Sequence, residues 1–575
     1  MENSEFAKLF WQIAELLELK NENRFKVRAY QKAAQNIENF SDDITGVFKK
    51  GGLKALENIP GIGESIAEHI EELIKTGRIK KYEKLIKEFP RGFVEMMQVP
   101  GIGPKTALLL KKKLKIDSIE KLQKASERGL LKNLPGFKEK KIENVKKGLE
   151  LKARSKGRFL LSEADEYVKA IVGQLEKLKE IDQILPAGSF RRGQETVGDI
   201  DILVTSKKPG PVMDTFTKLP QVERVLAEGP TRSSVILKNG MQADIRVLEP
   251  SNFGAAAHYF TGNKQHNILI REMAVKKGLK ISEYGVMKGN RRIAGKTEAE
   301  IFAAVGLPYI PPELRQGTDE IDLAKKGELP KLIETSDIRG DLHTHSSHSD
   351  GGNSIEEMAE AAKKLGYEYL AVTDHTVSTR VGGGQTEKEL LKELAEIDKL
   401  NSRLNGFRVL KGAEVDILPD GSLDFSDEIL KQLDVVTVSV HSNFKMPREK
   451  MTNRIIKALH NKYVNILSHP TGRLIGKRDP YAVDIEKIIK AAKATGTYLE
   501  VNAYPERLDL SDVHCRRAKE QGVLLSINTD SHAALQLQLI KYGVLTARRG
   551  WVEKRDVINT RPLEKLLKLL YAKRK

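Results

Sequence analysis

Two aspartates, Asp199 and Asp201, stand two positions apart in an apolar segment that follows a Gly-Ser turn and two arginines (GSFRRGQETVGDIDILV, residues 188–204). Side chains at positions i and i+2 of a strand lie on the same face. Two carboxylates held side by side repel each other and favour a bound divalent cation, and Mg²⁺ is commonly bound by one or two carboxylates together with substrate phosphates. The segment therefore indicates a nucleotide held over a metal pair, the arrangement of two-metal phosphoryl transfer.

A third acidic residue, Asp244, lies in the segment QADIRVL, which has a similar strand-like character. A third acid is needed to complete a two-metal site. We therefore expect Asp244 to lie on a strand close to Asp199 and Asp201.

A second group of residues with metal-binding chemistry lies towards the carboxyl end. Nine of the 12 histidines occur after residue 340, in short motifs at the ends of apolar strand segments, such as DLHTHSSHSDG, VTDHT and LSHPTG. Strand ends that face one mouth of a barrel converge, and barrel active sites sit at that mouth. Imidazole mixed with carboxylate favours Mn²⁺, Zn²⁺ or Fe over Mg²⁺, and such metals activate water to attack a phosphate ester.

The segments that position these residues change character along the chain. Residues 1 to about 155 have a helical pattern with many lysines, and residues 158–250 are rich in β-branched strand segments. Residues 251–315 mix helix with short strands, and the polar, proline-containing stretch 311–336 is interpreted as a linker. From residue 339 onward, strand runs alternate with amphipathic helices, which predicts βαβ units and a parallel sheet or barrel.

Two copies of Pro-Gly-Ile-Gly each separate two helical stretches in the amino-terminal region. Glycine permits a tight turn and a close approach of backbone to ligand, and the free N–H groups at the start of the next helix can hold a phosphate. Both copies resemble the helix-hairpin-helix motif of DNA-repair proteins, which grips the DNA backbone without reading sequence. A third copy has Lys138 in place of the second glycine and is interpreted as structural packing. The predicted DNA-binding residues are Gly61, Gly63, Gly101, Gly103 and Lys105.

Composition narrows the classes of protein. The 575 residues exceed the size of one domain, no apolar run approaches the ~20 residues of a membrane span, and the single cysteine, Cys515, excludes an intrachain disulfide. The net charge of +18 suits a polyanionic partner such as nucleic acid, although a Lys/Glu-rich solvated surface would have the same composition. The amino terminus has no signal-peptide pattern, so we expect a cytoplasmic, nucleoid-associated protein.

Several motifs in residues 1–317 together resemble the family X DNA polymerases, the gap-filling enzymes similar to DNA polymerase beta. The motifs are GSFRRG, GDID, DIRV and HYFTGN, in this order, together with the two hairpins. The resemblance implies that Asp199, Asp201 and Asp244 hold two Mg²⁺ ions that activate the primer 3′-hydroxyl and neutralise the triphosphate. The implied nucleotide-binding residues are Ser189, Arg192, Gly198 and Arg158 at the triphosphate, Tyr259, Phe260 and Gly262 along the deoxyribose, and Asn267 and Arg271 at the new base pair and template.

The chain departs from the family pattern at two positions. Family members that remove a 5′ sugar phosphate use a hairpin lysine that forms a Schiff base, and His69 occupies that position here. Imidazole cannot form the imine, so we expect no efficient lyase. Gln242 replaces a basic residue near the third acid.

The histidine motifs resemble those of the PHP (polymerase and histidinol phosphatase) domain, which implies a cluster of up to three Mn²⁺ or Zn²⁺ ions. Glu500 and Asn502 lie on a strand end in the same layer, so we expect them to support the ligands. His348, His460 and His514 are interpreted as core or surface residues. The implied metal ligands are His343, His345, Asp350, His375, Glu414, His441, His469, Asp530 and His532.

These resemblances imply a multidomain fold with α-helical helix-hairpin-helix domains, an α+β nucleotidyltransferase palm and thumb, and a carboxy-terminal α/β PHP barrel of distorted TIM type. The predicted domains are residues 1–80 (helix-hairpin-helix), 81–155 (fingers-like, with the second hairpin), 156–250 (palm), 251–317 (thumb-like), 318–336 (linker) and 337–575 (PHP phosphoesterase).

The implied function is gap-filling DNA synthesis in base-excision repair, with trimming of DNA 3′ ends by the PHP domain. The expected partners are gapped or primed double-stranded DNA and dNTPs, with no membrane, and we expect a monomer. The hypotheses for the PHP activity are 3′–5′ exonuclease, 3′-phosphatase and abasic-site cleavage. Two alternatives stay open: another nucleotidyltransferase, such as an RNA-tailing enzyme, and a DNA-end scaffold with an inactive PHP domain.

Overall fold

The computed structural model describes most of the chain. The described residues are 3–20, 22–38, 44–59, 61–89, 92–93, 96, 99, 102–139, 141–142, 145–146, 149, 157–379 and 382–574. None of the helices within these ranges is both long enough and apolar enough to cross a bilayer.

The amino-terminal region is helical and has one shared apolar core. Phe6 and Phe10 from its first helix are fully buried in the same cluster as Phe93 and Leu110. The two helices that follow the Gly-Ile-Gly turns begin directly after Gly63 and Gly103, because both glycines adopt the extended conformation of a residue that precedes a helix. The described helices are α1 Asn3–Leu19, α2 Arg24–Glu38, α3 Ile44–Glu57, α4 Glu64–Thr76, α5 Lys80–Glu88, α6 Pro104–Leu114 and α7 Ile119–Glu127.

A five-stranded sheet forms the next region, in the order β2-β4-β7-β6-β5. Strands β4 and β7 are parallel neighbours, whereas the other neighbouring pairs of this sheet are antiparallel. Ile200 and Ile202 of β4 pack with Val212 and Phe216 of α10, which buries one face of the sheet. The elements are β1 Phe159–Leu160, α8 Leu161–Leu175, β2 Ile181–Pro186, α9 Gly188–Arg191, β3 Thr196–Val197, β4 Asp199–Ser206, α10 Pro209–Thr217, β5 Val222–Glu228, β6 Arg232–Leu237 and β7 Gln242–Leu248.

A small α+β region follows, with a three-stranded antiparallel sheet. The stretch interpreted as a linker, residues 318–336, contains helix α14 and buries Ile321, Leu332 and Ile333. These residues are therefore packed against the protein and do not form an exposed linker. Their apolar side chains belong to the cores of the neighbouring regions. The elements are α11 Phe253–Thr261, α12 Lys264–Lys276, β8 Lys280–Ser282, β9 Gly285–Lys288, β10 Arg291–Ala294, α13 Glu298–Val305 and α14 Glu320–Lys326.

The carboxy-terminal region is a nearly closed barrel of seven parallel strands in sequence order. The first and last strands meet where the Asp530 N–H donates to the His343 carbonyl (3.0 Å) and the His345 N–H donates to the Ser531 carbonyl (2.8 Å). The neighbours Val409 and Leu410 belong to two different apolar clusters, one beneath the surrounding helices and one against α22. The strands are β11 Gly340–Thr344, β12 Tyr369–Val372, β13 Arg408–Asp416, β14 Val435–Ser439, β15 Ile466–Leu467, β16 Tyr498–Asn502 and β17 Leu525–Asn528.

Helices connect the barrel strands and surround them, as the alternation of segments predicts. The fold class expected from the sequence is therefore confirmed. The helices are α15 Ile355–Lys364, α16 Glu387–Asn401, α17 Asp427–Leu430, α18 Arg448–Leu459, α19 Ile485–Thr495, α20 Asp512–Glu520, α21 Ile540–Arg549 and α22 Leu563–Ala572.

Candidate active sites

Three carboxylates meet on the face of the five-stranded sheet that also packs against α11. In the parallel pairing of β4 with β7, Asp201 lies opposite Asp244, and Asp199 lies opposite Gln242. Because side chains alternate along a strand, these four residues share one face, and the intervening residues, an isoleucine in β4 and an alanine in β7, point into the core. The Gln242 amide donates to both carboxylate oxygens of Asp244, at 3.3 and 3.2 Å. The structure thus brings together the three acids that the sequence singled out.

The carboxylates repel each other strongly at this position. Burial, followed by the charges of Asp199 and Asp244, raises the pKa of Asp201 to about 7. Burial and then the charge of Asp244 also raise the pKa of Asp199. The neighbouring arginines Arg246 and Arg192 act in the opposite direction but do not cancel this effect. A set of hard oxygen donors with unbalanced negative charge fits two Mg²⁺ ions.

The turn that precedes Arg192 is pressed against Asp201. Gly188 has a φ of +64°, and a Cβ at this position would lie 2.7 Å from Asp201 Oδ2. The Ala187 N–H also donates to the Asp201 carbonyl, at 2.8 Å. Ser189 follows in the short helix α9, so its backbone is held beside the acidic cluster. Only glycine permits this close approach with a left-handed backbone.

The Arg192 guanidinium connects the turn to helix α11. Its Nη1 donates to the Thr261 carbonyl, and a Cβ at Gly262 would lie 3.2 Å from the same nitrogen. Burial, followed by the charges of Arg549 and Arg315, lowers the pKa of Arg192 to about 10. Arg192 therefore stays cationic at neutral pH and lies beside the predicted sugar-binding turn.

The other predicted triphosphate contacts lie at the start of β4. Arg158 Nε donates to Thr196 Oγ1 at 2.9 Å, and Arg158 Nη2 donates to the Thr196 carbonyl at 2.5 Å. A Cβ at Gly198 would lie 3.9 Å from Arg158 Nη1. Arg158 thus lies next to the glycine that precedes Asp199.

The predicted sugar and base contacts form a connected group. The rings of Tyr259 and Phe260 pack edge to face with centroids 5.1 Å apart, and Arg246 stacks 4.5 Å from the Phe260 ring centroid. Asn267 Nδ2 donates to the Tyr259 carbonyl (2.8 Å), and Arg271 Nε donates to the Asn267 carbonyl (3.2 Å). Helix α12 therefore holds the end of α11 in place.

Two basic residues in this region have roles that sequence patterns did not indicate. Arg191 donates to Thr261 Oγ1 (2.7 Å) and to Glu298 (2.6 Å), and so it ties α9 to α13. Arg246, three residues from the carboxyl end of β7, stacks on Phe260. The motif GSFRRG draws attention to both arginines of this turn. Nothing in the local sequence, however, indicates that Arg191 contacts Glu298 whereas Arg192 contacts the Thr261 carbonyl.

The two hairpins are described in part. Gly61 is left-handed, and a Cβ there would lie 2.4 Å from Asn36 Nδ2, whereas a Cβ at Gly63 or Gly103 would meet nothing within 4 Å. The open space around the last two glycines leaves room for a DNA backbone beside the amino ends of α4 and α6. The predicted residue Gly101 and the side chain of the predicted Lys105 lie outside the described residues.

His69, at the position of the family's lyase lysine, is part of a hydrogen-bonded group. Its Nδ1 lies 3.3 Å from the Tyr30 hydroxyl, which also accepts from Lys81 Nζ at 2.8 Å. Burial and the nearby Lys81 charge lower the pKa of His69. His69 is therefore a neutral imidazole at neutral pH.

All nine predicted metal ligands converge at the mouth of the barrel. Within each of three overlapping groups, one ligand atom from every residue lies within 4.8 Å of the others. His469 joins the third group, since its Nε2 lies 2.9 Å from Glu414 Oε1. The groups are His345, Asp350, His375 and His532; His343, His345 and Asp530; and His375, Glu414 and His441.

The ligands converge because they lie at or beyond the carboxyl ends of parallel strands. His343 is in β11, Glu414 is in β13, and Asp530 follows β17 by two residues. Strands that run in the same direction around a barrel present these ends at one mouth. His375, His441 and His469 follow β12, β14 and β15 by two or three residues, so the barrel topology itself assembles the cluster.

Residues behind the ligands orient them. His343 Nδ1 donates to Glu500 Oε1 at 2.8 Å, which directs Nε2 of the same ring towards the cluster. Asn528 Nδ2 donates to Glu500 Oε1 (2.9 Å), and Asn502 Nδ2 donates to Asp530 Oδ2 (3.1 Å). The Nε2 atoms of His343 and His345 are buried without a hydrogen-bond partner. Such orphaned nitrogens, facing carboxylates, fit a metal ion between them.

The electrostatics of the barrel cluster also suit metal binding. Burial alone would raise the pKa of Glu414, but His441 and His343 hold it well below its usual range. Burial, followed by His532 and His375, lowers the pKa of His345 to about 4. Burial likewise lowers the pKa of His441 to about 3. Although burial opposes it, the neighbouring carboxylates raise the pKa of His343, of His375 and, to about 9, of His532. Because metals bind ionised carboxylates and neutral imidazoles, these three rings release a proton when a metal binds.

Three histidines lie apart from these groups. His348 Nε2 lies 3.0 Å from Glu396 in an exposed pair, the His460 ring contacts the Ile456 carbonyl at 2.8 Å, and His514 contacts Ser511 at 3.3 Å. Each has a local partner, which agrees with its interpretation as a core or surface residue.

The fold and the two clusters define a polymerase-type nucleotidyltransferase core joined to a PHP-type barrel. The DNA polymerase/3′-5′ exonuclease PolX of Bacillus subtilis (strain 168) is 39% identical to this chain over 568 residues, 98% of each protein. The chain belongs to the family X DNA polymerases that carry a PHP domain. The matching family profiles are the helix-hairpin-helix domain (residues 1–79), the SAM-like helix-hairpin-helix tandem (93–151), the DNA polymerase beta palm (159–248), the DNA polymerase beta thumb (256–316) and the PHP domain (341–504).

Other relatives match about a third of the chain. A protein of Thermoanaerobacter sp. (strain X514) named "Probable phosphatase" is 30% identical over 231 residues, which cover 38% of this chain and 89% of that protein. A protein of Acetivibrio thermocellus with the same name is 32% identical over 207 residues, covering 34% of this chain and 80% of that protein. The matched residues thus make up most of the length of these two relatives.

The close approach of Gly188 to Asp201 gives a direct test of the palm site. We expect Gly188→Ala to lower nucleotide incorporation on a gapped duplex by about 100-fold, because a displacement of ~1 Å at a reacting group can have that effect. Gly173→Ala is the matched control, since a Cβ at Gly173 in α8 meets nothing within 4 Å. Wild-type incorporation by Gly188→Ala would contradict this description of the site.

The support that Glu500 gives to His343 predicts a change in metal retention. We expect Glu500→Gln to weaken metal binding by about 10- to 100-fold, because the carboxylate that orients the ligand is lost. Metal content after dialysis against graded chelator, measured by mass spectrometry, is the readout. The control is Glu396→Gln, which changes only the exposed pair with His348. Equal retention by both variants would show that Glu500 does not support the cluster.

Proposed function

We propose that the protein is a DNA polymerase that fills short gaps during DNA repair, and that its barrel hydrolyses phosphate esters at DNA 3′ ends. The convergence of Asp199, Asp201 and Asp244 beside an arginine-bearing turn is the observation that carries the first part. The nine-residue cluster carries the second part. The name and full-length similarity of the Bacillus subtilis relative support both.

In the palm, we assign Asp199, Asp201 and Asp244 to the binding of two Mg²⁺ ions. When bound, these ions lower the pKa of the primer 3′-hydroxyl and neutralise the triphosphate. Arg192 remains cationic and presents its guanidinium beside the Thr261 carbonyl, where it can contact a phosphate. Ser189, Gly198 and Arg158 complete the triphosphate contacts.

Selection of a deoxyribose is assigned to the end of α11. Tyr259, Phe260 and Gly262 lie directly beside Arg192, so a nucleotide whose triphosphate contacts Arg192 places its sugar along this turn. The Asn267 amide holds the Tyr259 carbonyl, which keeps the backbone of the turn fixed. A fixed backbone leaves little space for a 2′-hydroxyl. Asn267 and Arg271 are assigned to the new base pair and the template.

In the barrel, we assign the nine ligands to a cluster of up to three Mn²⁺ or Zn²⁺ ions. The mixture of imidazole and carboxylate favours these metals over Mg²⁺. When bound, they supply a nucleophilic water and neutralise charge on the phosphate. We propose 3′–5′ exonuclease as the main activity, because the relative that matches the whole chain has this activity in its name. Removal of a 3′-phosphate is hydrolysis of the same kind of P–O bond, in which water attacks phosphorus, a DNA 3′-oxygen leaves, and inorganic phosphate is released in place of a nucleotide; this agrees with the names of the shorter relatives.

The helical region is assigned to DNA binding. Gly61 and Gly63 form the turn before α4, and Gly103 precedes α6, which offers the N–H groups of two helix starts to phosphates. The chain has a net charge of +18, which favours a polyanion. Contacts with the backbone rather than with bases would suit gaps of any sequence.

Separate inactivation of the two sites tests this proposal. A duplex with a one-nucleotide gap and a labelled primer is incubated with dNTPs and Mg²⁺, or with Mn²⁺ alone. We expect Asp201→Asn to lose at least 100-fold of its extension rate while it still shortens the primer, because it removes one carboxylate from the palm site only. His345→Ala should still extend the primer but should lose the ability to shorten it.

His348→Ala is the matched histidine control, since this ring lies outside the cluster and contacts only an exposed glutamate among the described residues. It should keep both activities. If Asp201→Asn extends the primer at the wild-type rate, the assignment of the palm site is wrong. If His345→Ala degrades the primer normally, the assignment of the barrel is wrong.

A further inference from the structure

Helix α21 of the barrel lies against the palm and the thumb. Its side chains Lys541 and Tyr542 both donate to Asp165 of α8, the tyrosine at 2.8 Å. Tyr542 is also buried in the apolar core of the palm, against which Leu545 packs. Arg548 donates to Glu313 of the thumb at 2.8 Å. The barrel and the polymerase core therefore share a continuous, partly apolar interface.

The last residue of α21, Arg549, reaches the turn that follows Arg192. Arg549 is 7% exposed, and its Nη2 donates to Asp512 Oδ2 at 2.6 Å, which anchors the guanidinium within the barrel. Its Nη1 donates to the Arg192 carbonyl at 3.1 Å. With the Gln194 amide oxygen facing Arg549, that oxygen lies 2.9 and 3.1 Å from the two terminal nitrogens. One buried arginine of the barrel thus holds two residues of this turn.

The barrel also contacts this turn at Gly193 and at Glu195. Gly193 is left-handed, and a Cβ there would lie 3.4 Å from Leu545, so the turn rests directly on α21. Glu195 accepts from Arg473 Nη2 at 2.7 Å. Each of residues 192–195 is therefore contacted by the barrel, through Arg549, Leu545 or Arg473.

The turn connects Arg192, a predicted triphosphate contact, to Asp199, the first of the three acids. It begins at Arg192, whose guanidinium is aimed at the Thr261 carbonyl, and it leads through β3 to Asp199. Arg549 holds the backbone from which the Arg192 side chain extends, and the Thr261 carbonyl holds the far end of that side chain. Fixing the Arg192 carbonyl therefore limits where the Arg192 guanidinium can point.

We infer that Arg549 is a positioning residue for the polymerase site: from the PHP barrel, it holds the backbone of Arg192 so that the Arg192 guanidinium meets the triphosphate of the incoming nucleotide. This inference rests on the proposed function of the palm. It assigns to the barrel a task in nucleotide binding that is separate from hydrolysis.

Single-turnover kinetics on a gapped duplex test the inference, because they separate the Kd for dNTP from the rate of incorporation. Arg549→Met should raise the Kd for dNTP by about tenfold, which corresponds to about 1.4 kcal/mol, because the Arg192 carbonyl loses the hydrogen bond that holds it. The maximal rate should change less than threefold. Shortening of single-stranded DNA in Mn²⁺ should stay within twofold of wild type.

The matched control is Lys541→Met, which removes a cation from the same helix and the same interface without touching residues 192–195. It should leave the Kd for dNTP unchanged. An equal increase in both variants would overturn the inference, because it would reflect a loosened interface. A normal Kd in Arg549→Met would overturn it as well.

Two further variants guard against a folding defect. Asp512→Asn keeps Arg549 but weakens its anchor, and it should raise the Kd for dNTP by a smaller factor in the same direction. In an Arg192→Ala background, Arg549→Met should add no further loss, because its effect passes through Arg192. Full additivity would contradict the inference.

The failure of this inference is distinct from failure of the proposed function. If the wild-type protein extends no primer, the assignment of the palm is wrong. If the wild-type protein extends the primer and Arg549→Met binds dNTP normally, only the positioning role is wrong.

Discussion

The parallel pairing of β4 with β7 is the constraint on which the palm site depends. It sets Asp201 opposite Asp244 on strands that lie about 4.8 Å apart, and the alternation of side chains places Asp199 on the same face. The same register buries Ile200, Ile202, Ala243 and Ile245 beneath the helices. A shift by one residue would exchange the two sets, placing carboxylates in the core and apolar residues in solvent. Burial of the apolar face therefore holds three repelling carboxylates together until cations neutralise them.

The barrel also holds charged side chains close together, but with a different geometry. Its ligands come from the carboxyl ends of successive parallel strands, and closure of the first strand on the last brings Asp530 beside His343. Burial keeps His345 and His441 neutral, while the carboxylates between them stay ionised. Because α21 follows the last ligands of the barrel and packs on the palm, the two sites belong to one continuous body of packed side chains.

Local sequence patterns indicated which residues come together in both clusters. Asp199 and Asp201 share a face as soon as their segment is a strand. The barrel ligands come together because each lies near the end of a strand. Both features can therefore be predicted from short segments of sequence. Contacts between distant segments had no such signal. Arg549 and Arg192 are 357 positions apart, and nothing near either residue indicates the other. The sequence likewise did not indicate that residues 318–336 are packed against the protein or that Gly188 contacts Asp201. Both features depend on neighbours that are distant in sequence.

The central claim is that three carboxylates of one sheet face hold a cation pair completed by a deoxynucleoside triphosphate. Its most direct test is anomalous X-ray scattering from crystals grown with gapped DNA, Mn²⁺ and a non-hydrolysable dNTP. Our account predicts two manganese peaks bound by Asp199, Asp201 and Asp244 and by the triphosphate. A bound triphosphate with no manganese at these carboxylates, in crystals whose barrel is loaded, would contradict it.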